Sequence, residues 1–274
     1  MAADLEQSYA HCRRVARTRA RNFYYSFVLL SKEQKDAMCA MYAFNRFCDD
    51  LSEASDASKA AIERWRNELT EALEGRFSTN PMWPAFYDAA KRYAIPHQYF
   101  YEMIEGVSSD LEPRNIRTFD ELYHYCYQVA SVVGMTTIHI FGFDSPEALP
   151  LAEKCGIAFQ LTNILRDVRE DAENRRIYIP SEDIERFHAD LRLYDESFQS
   201  LMRFEAERAR MYYTESEPLI GLVHEKSRAS LWALIEIYRR LLNRIEKANY
   251  QVLERRISLP ALEKVGIVLR AAVR

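Results

Sequence analysis

Along most of this chain, apolar residues recur every three or four positions and are interrupted by short polar breaks, which is the period of the α-helix. Ser58 to Arg76 reads as a charged amphipathic helix with Trp65 and Leu69 facing inward. The pairs Asn80-Pro81 and Ile95-Pro96 mark helix boundaries, because the residue before a proline is pushed away from helical backbone angles. His97 to Leu111 forms the next helix, and Thr118 with Glu121 three positions on reads as a capping box. Ser145-Pro146 opens a helix that runs on through Asp171, and further helices are predicted over Ser181–Phe187, Asp195–Tyr213 and Ser227–Asn249. No Asn-Gly or Asp-Gly hairpin signal and no alternation of strand and helix patterns occurs. The fold class expected is all-α.

Two stretches depart from ordinary amphipathicity. Residues 122–143 contain no Asp, Glu, Lys or Arg, long enough for a membrane span. They also include His124, Gln128, Ser131, Thr136, Thr137 and His139, so a buried central helix fits better, with Gly134 permitting close helix approach. The second stretch, CGIAFQLTNILRDVREDAENRRIYIP from Cys155 to Pro180, inverts the usual pattern. Gly156, Gln160, Asn163, Asp167 and Asp171 are spaced three or four apart and form one narrow polar stripe on an apolar helix. A helix buried in protein, with one face lining a polar cavity, would look like this.

Asn163, Asp167 and Asp171 place oxygen donors on successive turns, as Mg²⁺ requires when it is held by a few carboxylates and substrate phosphates. Arg166, Arg175 and Arg176 supply positive charge for a phosphate. The alternative is a solvated face of acids and bases, and a second acidic cluster is needed to favour the cavity. MYAFNRFCDDLSE, residues 41–53, provides it. Asp49 and Asp50 precede Glu53 by four and three positions, and Tyr42 and Arg46 extend the same face up the helix. Acids so close repel unless a cation intervenes.

With 48% hydrophobic residues in 274, the chain can bury a sizeable core, and only 7 Gly and 9 Pro suit long helices. A net charge of −4 gives no electrostatic case for nucleic acid. Five cysteines without CxxC spacing suit a reduced, cytoplasmic protein. The first residues lack the apolar core of a signal peptide. Arg13 and Arg14 read as solvated, whereas Arg19 and Arg21 abut Asn22-Phe23 at a point suited to anionic substrate. Arg255-Arg256 reads as a solvated charge pair. No linker or repeat appears, so one domain spanning 1–274 is expected.

The two acidic motifs, together with NFYYSFVLL (22–30), YCYQVASVVG (125–134) and KANYQVLERRISL (247–259), resemble the squalene/phytoene synthase family over nearly the whole chain. Within it the sequence looks most like bacterial presqualene diphosphate or squalene synthases of hopanoid pathways, with phytoene and dehydrosqualene synthases close behind. The resemblance implies the isoprenoid synthase fold, helices around a deep central cavity. It implies a prenyltransferase of the farnesyl-diphosphate farnesyltransferase type, joining two farnesyl diphosphates head to head. The cofactor implied is Mg²⁺ or Mn²⁺, with NADPH required only if the reaction continues to squalene.

The metal would be held by Asp49, Asp50, Glu53, Asn163, Asp167 and Asp171. Substrate would be bound by Asn22, Phe23, Phe27, Arg46, Gln160, Arg166 and Arg176, and Tyr42, Tyr125 and Tyr238 would stand at the reaction centre. Asp110 resembles a family aspartate beside the second acidic helix. Tyr42, Tyr238 or released pyrophosphate would take the proton lost on ring closure. Phe27, Val133, Thr136 and Thr137 would form the floor that limits tail length.

Three departures from the family pattern stand out: Asn22 replaces a small hydroxyl residue, Glu53 an Asp, and Arg169 a Gly. Partners expected are prenyl diphosphates and no nucleic acid, with peripheral membrane contact left open. Two other readings are a non-catalytic helical relative, which should have lost several of the acids, and a cyclase of one prenyl diphosphate, which needs different spacing in the second motif.

Overall fold

A computed structural model describes residues 2–20, 23–53 and 57–273, with the side chains of residues 2, 3, 53 and 114 also outside the description. The expected site residue Asn22, the neighbouring Arg21 and the side chain of Glu53 therefore lie outside the described residues.

Helix follows helix: α1 (Ala2–Arg19), α2 (Phe23–Phe27), α3 (Lys32–Glu53), α4 (Lys59–Leu73), α5 (Trp83–Arg92) and α6 (His97–Ser108), which ends in a 3₁₀ turn, Ser109–Leu111. Then come α7 (Phe119–Cys126), α8 (Val132–Phe141), α9 (Ala148–Glu173), α10 (Ser181–Phe187), α11 (Glu196–Glu215), α12 (Leu219–Leu222), α13 (Glu225–Lys247) and α14 (Ala261–Ala272). Thr118 accepts the amide of Glu121 and Asp195 that of Phe198, so both helices begin where their capping side chains dictate.

Two differences from expectation concern backbone geometry. The uncharged run is helical as predicted, but it widens into a π-helical turn over Tyr127–Ser131, between α7 and α8. Two-residue strands β1 (Arg114–Asn115) and β2 (Arg176–Ile177) also pair in parallel, where no strand was expected. Such a short pair leaves no periodicity for a sequence to show.

Helix α9 runs through the centre, packed by α8, α11, α13 and the π turn. It is buried around most of its circumference, as the inverted pattern predicted, with Ile157, Phe159, Leu161, Ile164 and Leu165 all covered. On one side α3 packs against α1, α5 and α6, and Phe44 joins Trp65, Trp83, Phe86 and Phe100 in an aromatic cluster. Gly134 sets the approach of α8 to α9, since a Cβ there would stand 2.9 Å from the carbonyl oxygen of Ala152. None of the described helices is long and apolar enough to cross a membrane.

Candidate active site

A cavity of about 380 Å³ lies between α3, the π turn with α8, α9 and α13. Its wall from α9 includes Gly156, Gln160, Asn163, Asp167 and Asp171, the whole predicted polar stripe. From α3 come Tyr42, Arg46 and Asp49, again at helical spacing. Of the other expected site residues, Phe23, Phe27, Tyr125, Arg166, Arg176 and Tyr238 also line it. So do Val133, Thr136 and Thr137. Asp50 lies one residue round the helix, off the cavity wall, where Arg46 bonds its carboxylate and Arg19 stands 3.5 Å away.

The cavity has two chemically distinct ends. At the acidic end Asp49 is 41% exposed. At the other, Phe27 is 1% and Ile138 1% exposed, and both are walled in by core. Between them Tyr238 stacks on Phe159 at 4.2 Å and takes the edge of Phe23 at 5.7 Å, forming an aromatic wall. Ring faces of this kind attract positive charge while excluding water.

Tyr125 is tied down by a different arrangement. Its hydroxyl donates to Asp110 Oδ2 at 2.9 Å, and Tyr178 donates to Oδ1 of the same carboxylate at 2.9 Å. The two rings stack at 4.8 Å. Burial beside Asp110 pushes the Tyr125 hydroxyl well above its ordinary pKa, so it stays protonated. Burial likewise raises Tyr42 to about 12. Each phenol is therefore a hydrogen-bond donor at neutral pH.

The acids are held by arginines. Arg166 forms a bidentate pair with the neighbouring Asp167, and Arg256 forms a second, with Nε–Oδ1 at 2.9 Å and Nη2–Oδ2 at 3.2 Å. Arg256 was expected to be a solvated charge; the structure instead folds the loop after α13 back onto α9. Arg169, the residue in place of a glycine, anchors that loop by donating to the carbonyls of Leu253 and Glu254, at 3.2 and 2.7 Å. Arg176 donates to the carbonyls of Ser52 and Asp110, at 3.2 and 3.0 Å, joining the end of α3 to the turn after α6. Asp110, Tyr178 and Arg256 thus complete a site whose members lie far apart in sequence. Asp110 was legible through the family resemblance, whereas no local pattern marks Tyr178 or Arg256.

Whether the donor set suits a cation can be judged from three observations. The buried Oδ1 of Asn163 accepts no hydrogen bond from any described residue, while its amide nitrogen donates to Gln160. A buried acceptor without a donor is costly unless something else satisfies it. Burial, and next the charge of Asp167, push Asp171 up to about 7. No three His, Cys, Asp or Glu side chains among the described residues converge into a complete cage. Asp49, Asn163, Asp167 and Asp171 are all oxygen donors, the ligand type that a hard cation takes.

The squalene/phytoene synthase family matches residues 16–263 of the chain. A phytoene synthase of Mycobacterium tuberculosis is 37% identical over 98% of this chain and 91% of its own length. One of Arthrospira platensis is 35% identical over 99% and 94%. Among solved structures, a dehydrosqualene synthase in complex with ligand superposes with a TM-score of 0.92 at 28% identity, covering 99% of this chain and 97% of that one. Squalene synthase HpnC from Alicyclobacillus acidocaldarius gives 0.84 at 26% identity, over 90% and 96%.

Proposed function

Because the chain belongs to the squalene/phytoene synthase family, we propose that it condenses two farnesyl diphosphates head to head, through a cyclopropane intermediate of the presqualene diphosphate type. The observation that carries this reading is one cavity with an acid- and arginine-lined exposed end, an aromatic wall and a closed apolar end. Diphosphates belong at the first and isoprenoid tails at the last.

Asp49, Asn163, Asp167 and Asp171 would hold Mg²⁺ with the substrate diphosphates, and Asp50 and Glu53 would join from the end of α3. The chemistry a bound Mg²⁺ supplies there is neutralisation of charge on the departing diphosphate. Arg46, Arg166 and Arg176 share that work, the guanidiniums of Arg46 and Arg166 turning from carboxylate to phosphate. The C1–O bond of one substrate breaks and its electron pair leaves with pyrophosphate. The double bond of the second chain attacks the allylic cation between Phe23, Phe159 and Tyr238. Loss of a proton to the released pyrophosphate then closes the cyclopropane, since Tyr42, raised to about 12, stays a hydrogen-bond donor. Tyr42, Tyr125 and Gln160 orient the reacting ends as hydrogen-bonding groups.

A second reading, condensation of two geranylgeranyl diphosphates to phytoene, is favoured by the names of the relatives at 35–37% identity. Incubation with each diphosphate and Mg²⁺, with and without NADPH, followed by product identification, separates the readings. A C30 product from farnesyl diphosphate is expected. Asp49→Asn and Asp167→Asn should each cut turnover by about 100-fold or more while leaving the unfolding midpoint nearly unchanged. Full activity in EDTA, or in either variant, would overturn the metal-dependent mechanism; a C40 product alone would overturn the farnesyl assignment.

A further inference from the structure

The loop after α13 leaves its helix through a strained exit and is strapped across α9. Asn249 and Tyr250 both hold positive φ, 53° and 62°. Two successive residues in the left-handed region, one of them a bulky aromatic, persist only where packing fixes them. Here it does: Tyr250 is buried, Asn249 Nδ2 donates to Gln199 Oε1 at 2.8 Å, and the Tyr194 hydroxyl donates to the Asn249 carbonyl at 2.8 Å. Val252 at one end of the strap, and Ile257 and Leu259 at the other, are also buried. Glu254, Arg255 and Arg256 between them are exposed. That middle is gripped from α9, where Arg169 donates to the carbonyls of Leu253 and Glu254.

The grip aims Arg256 at one carboxylate. Arg256 engages both oxygens of Asp167, which Arg166 also engages, and its Nε stands 3.5 Å from Glu170 Oε2. Two guanidiniums thus face Asp167, one of the acids of the cavity wall. Arg166 is the neighbour of Asp167 on a long buried helix. Arg256 lies outside the cavity wall and reaches Asp167 from the neighbouring cleft, on the strap. A divalent cation at Asp167 would meet this second guanidinium as a like charge and as a competitor for the same oxygens. A diphosphate arriving with the cation changes the balance, because it offers Arg256 oxygens of its own.

We propose that the strap couples metal to diphosphate: Arg256, held in place by Arg169, bars Asp167 to a cation alone and passes to the diphosphate when the two bind together. This rests on the functional reading above and adds an order to it. Metal without diphosphate binds poorly, and by linkage each of the two improves the binding of the other. Arg169 is a positioning residue that acts through Arg256. It sits two residues from Asp167 on α9, so one helix holds both the acid and the strap that guards it. Glycine, the usual residue of the family there, has no side chain with which to make this fastening.

The test measures binding without turnover. Mn²⁺ alone is titrated by its electron paramagnetic resonance signal, and labelled inorganic pyrophosphate is followed by equilibrium dialysis in excess Mg²⁺. Arg256→Ala should tighten Mn²⁺ alone about tenfold and weaken pyrophosphate about tenfold. Arg169→Ala should move both in the same senses by about threefold and add nothing in the Arg256→Ala background. Arg169→Lys, which can still donate to a carbonyl, should restore most of both affinities. The Arg256 and Arg169 side chains are 42% and 41% exposed, so the folded chain should tolerate each change. A strap with a merely structural role would move the two affinities together or not at all. Either of those results, or additive effects of the two alanine variants, with wild-type binding intact, would overturn the coupling alone. Absence of metal-dependent pyrophosphate binding in the wild type would overturn the functional reading with it.

Discussion

Glu205 and Asp183 are buried on the same arginine. Arg208 Nη1 donates to Asp183 Oδ2 and to Glu205, each at 2.9 Å, and its guanidinium lies over the rings of Phe119 and Phe204. One cation faces two carboxylates in a dry setting, so one acid keeps its proton. Burial raises Glu205 from 4.5 to about 8. The folded state thus binds a proton that the unfolded chain releases near 4.5. The group's contribution to stability is full below that value and is lost as pH rises through about 8. Unfolding midpoints in urea should fall between those limits by about 1–3 kcal/mol in free energy, and Glu205→Gln should flatten that slope while remaining folded. An equally steep slope in the variant would assign the titration elsewhere. Nothing in the sequence around Glu205 announces this, because the three partners come from two helices and meet only in the packed chain.

At the scale of elements, the contact between α9 and the π turn controls the shape of the cavity wall. A Cβ on Gly156 would stand 2.6 Å from Ser131 Cα and 2.7 Å from the Ala130 carbonyl oxygen. These are backbone atoms, which cannot swing aside. Gly156→Ala should therefore cost about 2–3 kcal/mol, measured by chemical denaturation, and lower turnover by moving Ala130 and Val129 in the wall. A variant as stable as wild type would show that the π turn yields more easily than this packing implies. The stripe of α9 was legible because polar residues at helical spacing among apolar ones admit few arrangements. The π turn was not, because its extra backbone residue is accommodated by Gly156, some 25 positions away in sequence. For α3, the helix and its facing residues were legible, whereas Asp50 sits about 100° round from Asp49 and turns to Arg46 and Arg19.

For the molecule as a whole, the proposed function makes the closed end of the cavity the place that would decide which tails fit. Phe27 is 1% exposed, lines that end with Thr136 and Thr137, and meets Tyr24 edge-on at 6.3 Å. Packed interiors tolerate little overfilling, so an extra five-carbon unit needs room that Phe27 occupies. Phe27→Ala should raise the ratio of C20 to C15 turnover by about tenfold relative to wild type, at a stability cost of about 3 kcal/mol. An unchanged ratio in a folded variant would remove Phe27 from the floor.

By itself the sequence determined the all-α class, the family, the two acid-bearing helices and most of the residues that meet at the cavity. Each of these is written in local spacing, and a period of three to four residues survives whatever packs around it. The tertiary structure decided what depends on chain segments far apart: Asp110 between Tyr125 and Tyr178, Arg256 on Asp167, Arg176 across the ends of α3 and α6, and the unpartnered face of α14. Residues 261–272 carry apolar positions such as Leu262, Val265, Ile267, Leu269 and Ala271. Only the packed chain, by burying Ile267 and Ala271 and leaving Leu262 and Leu269 in water, shows which of them the core takes.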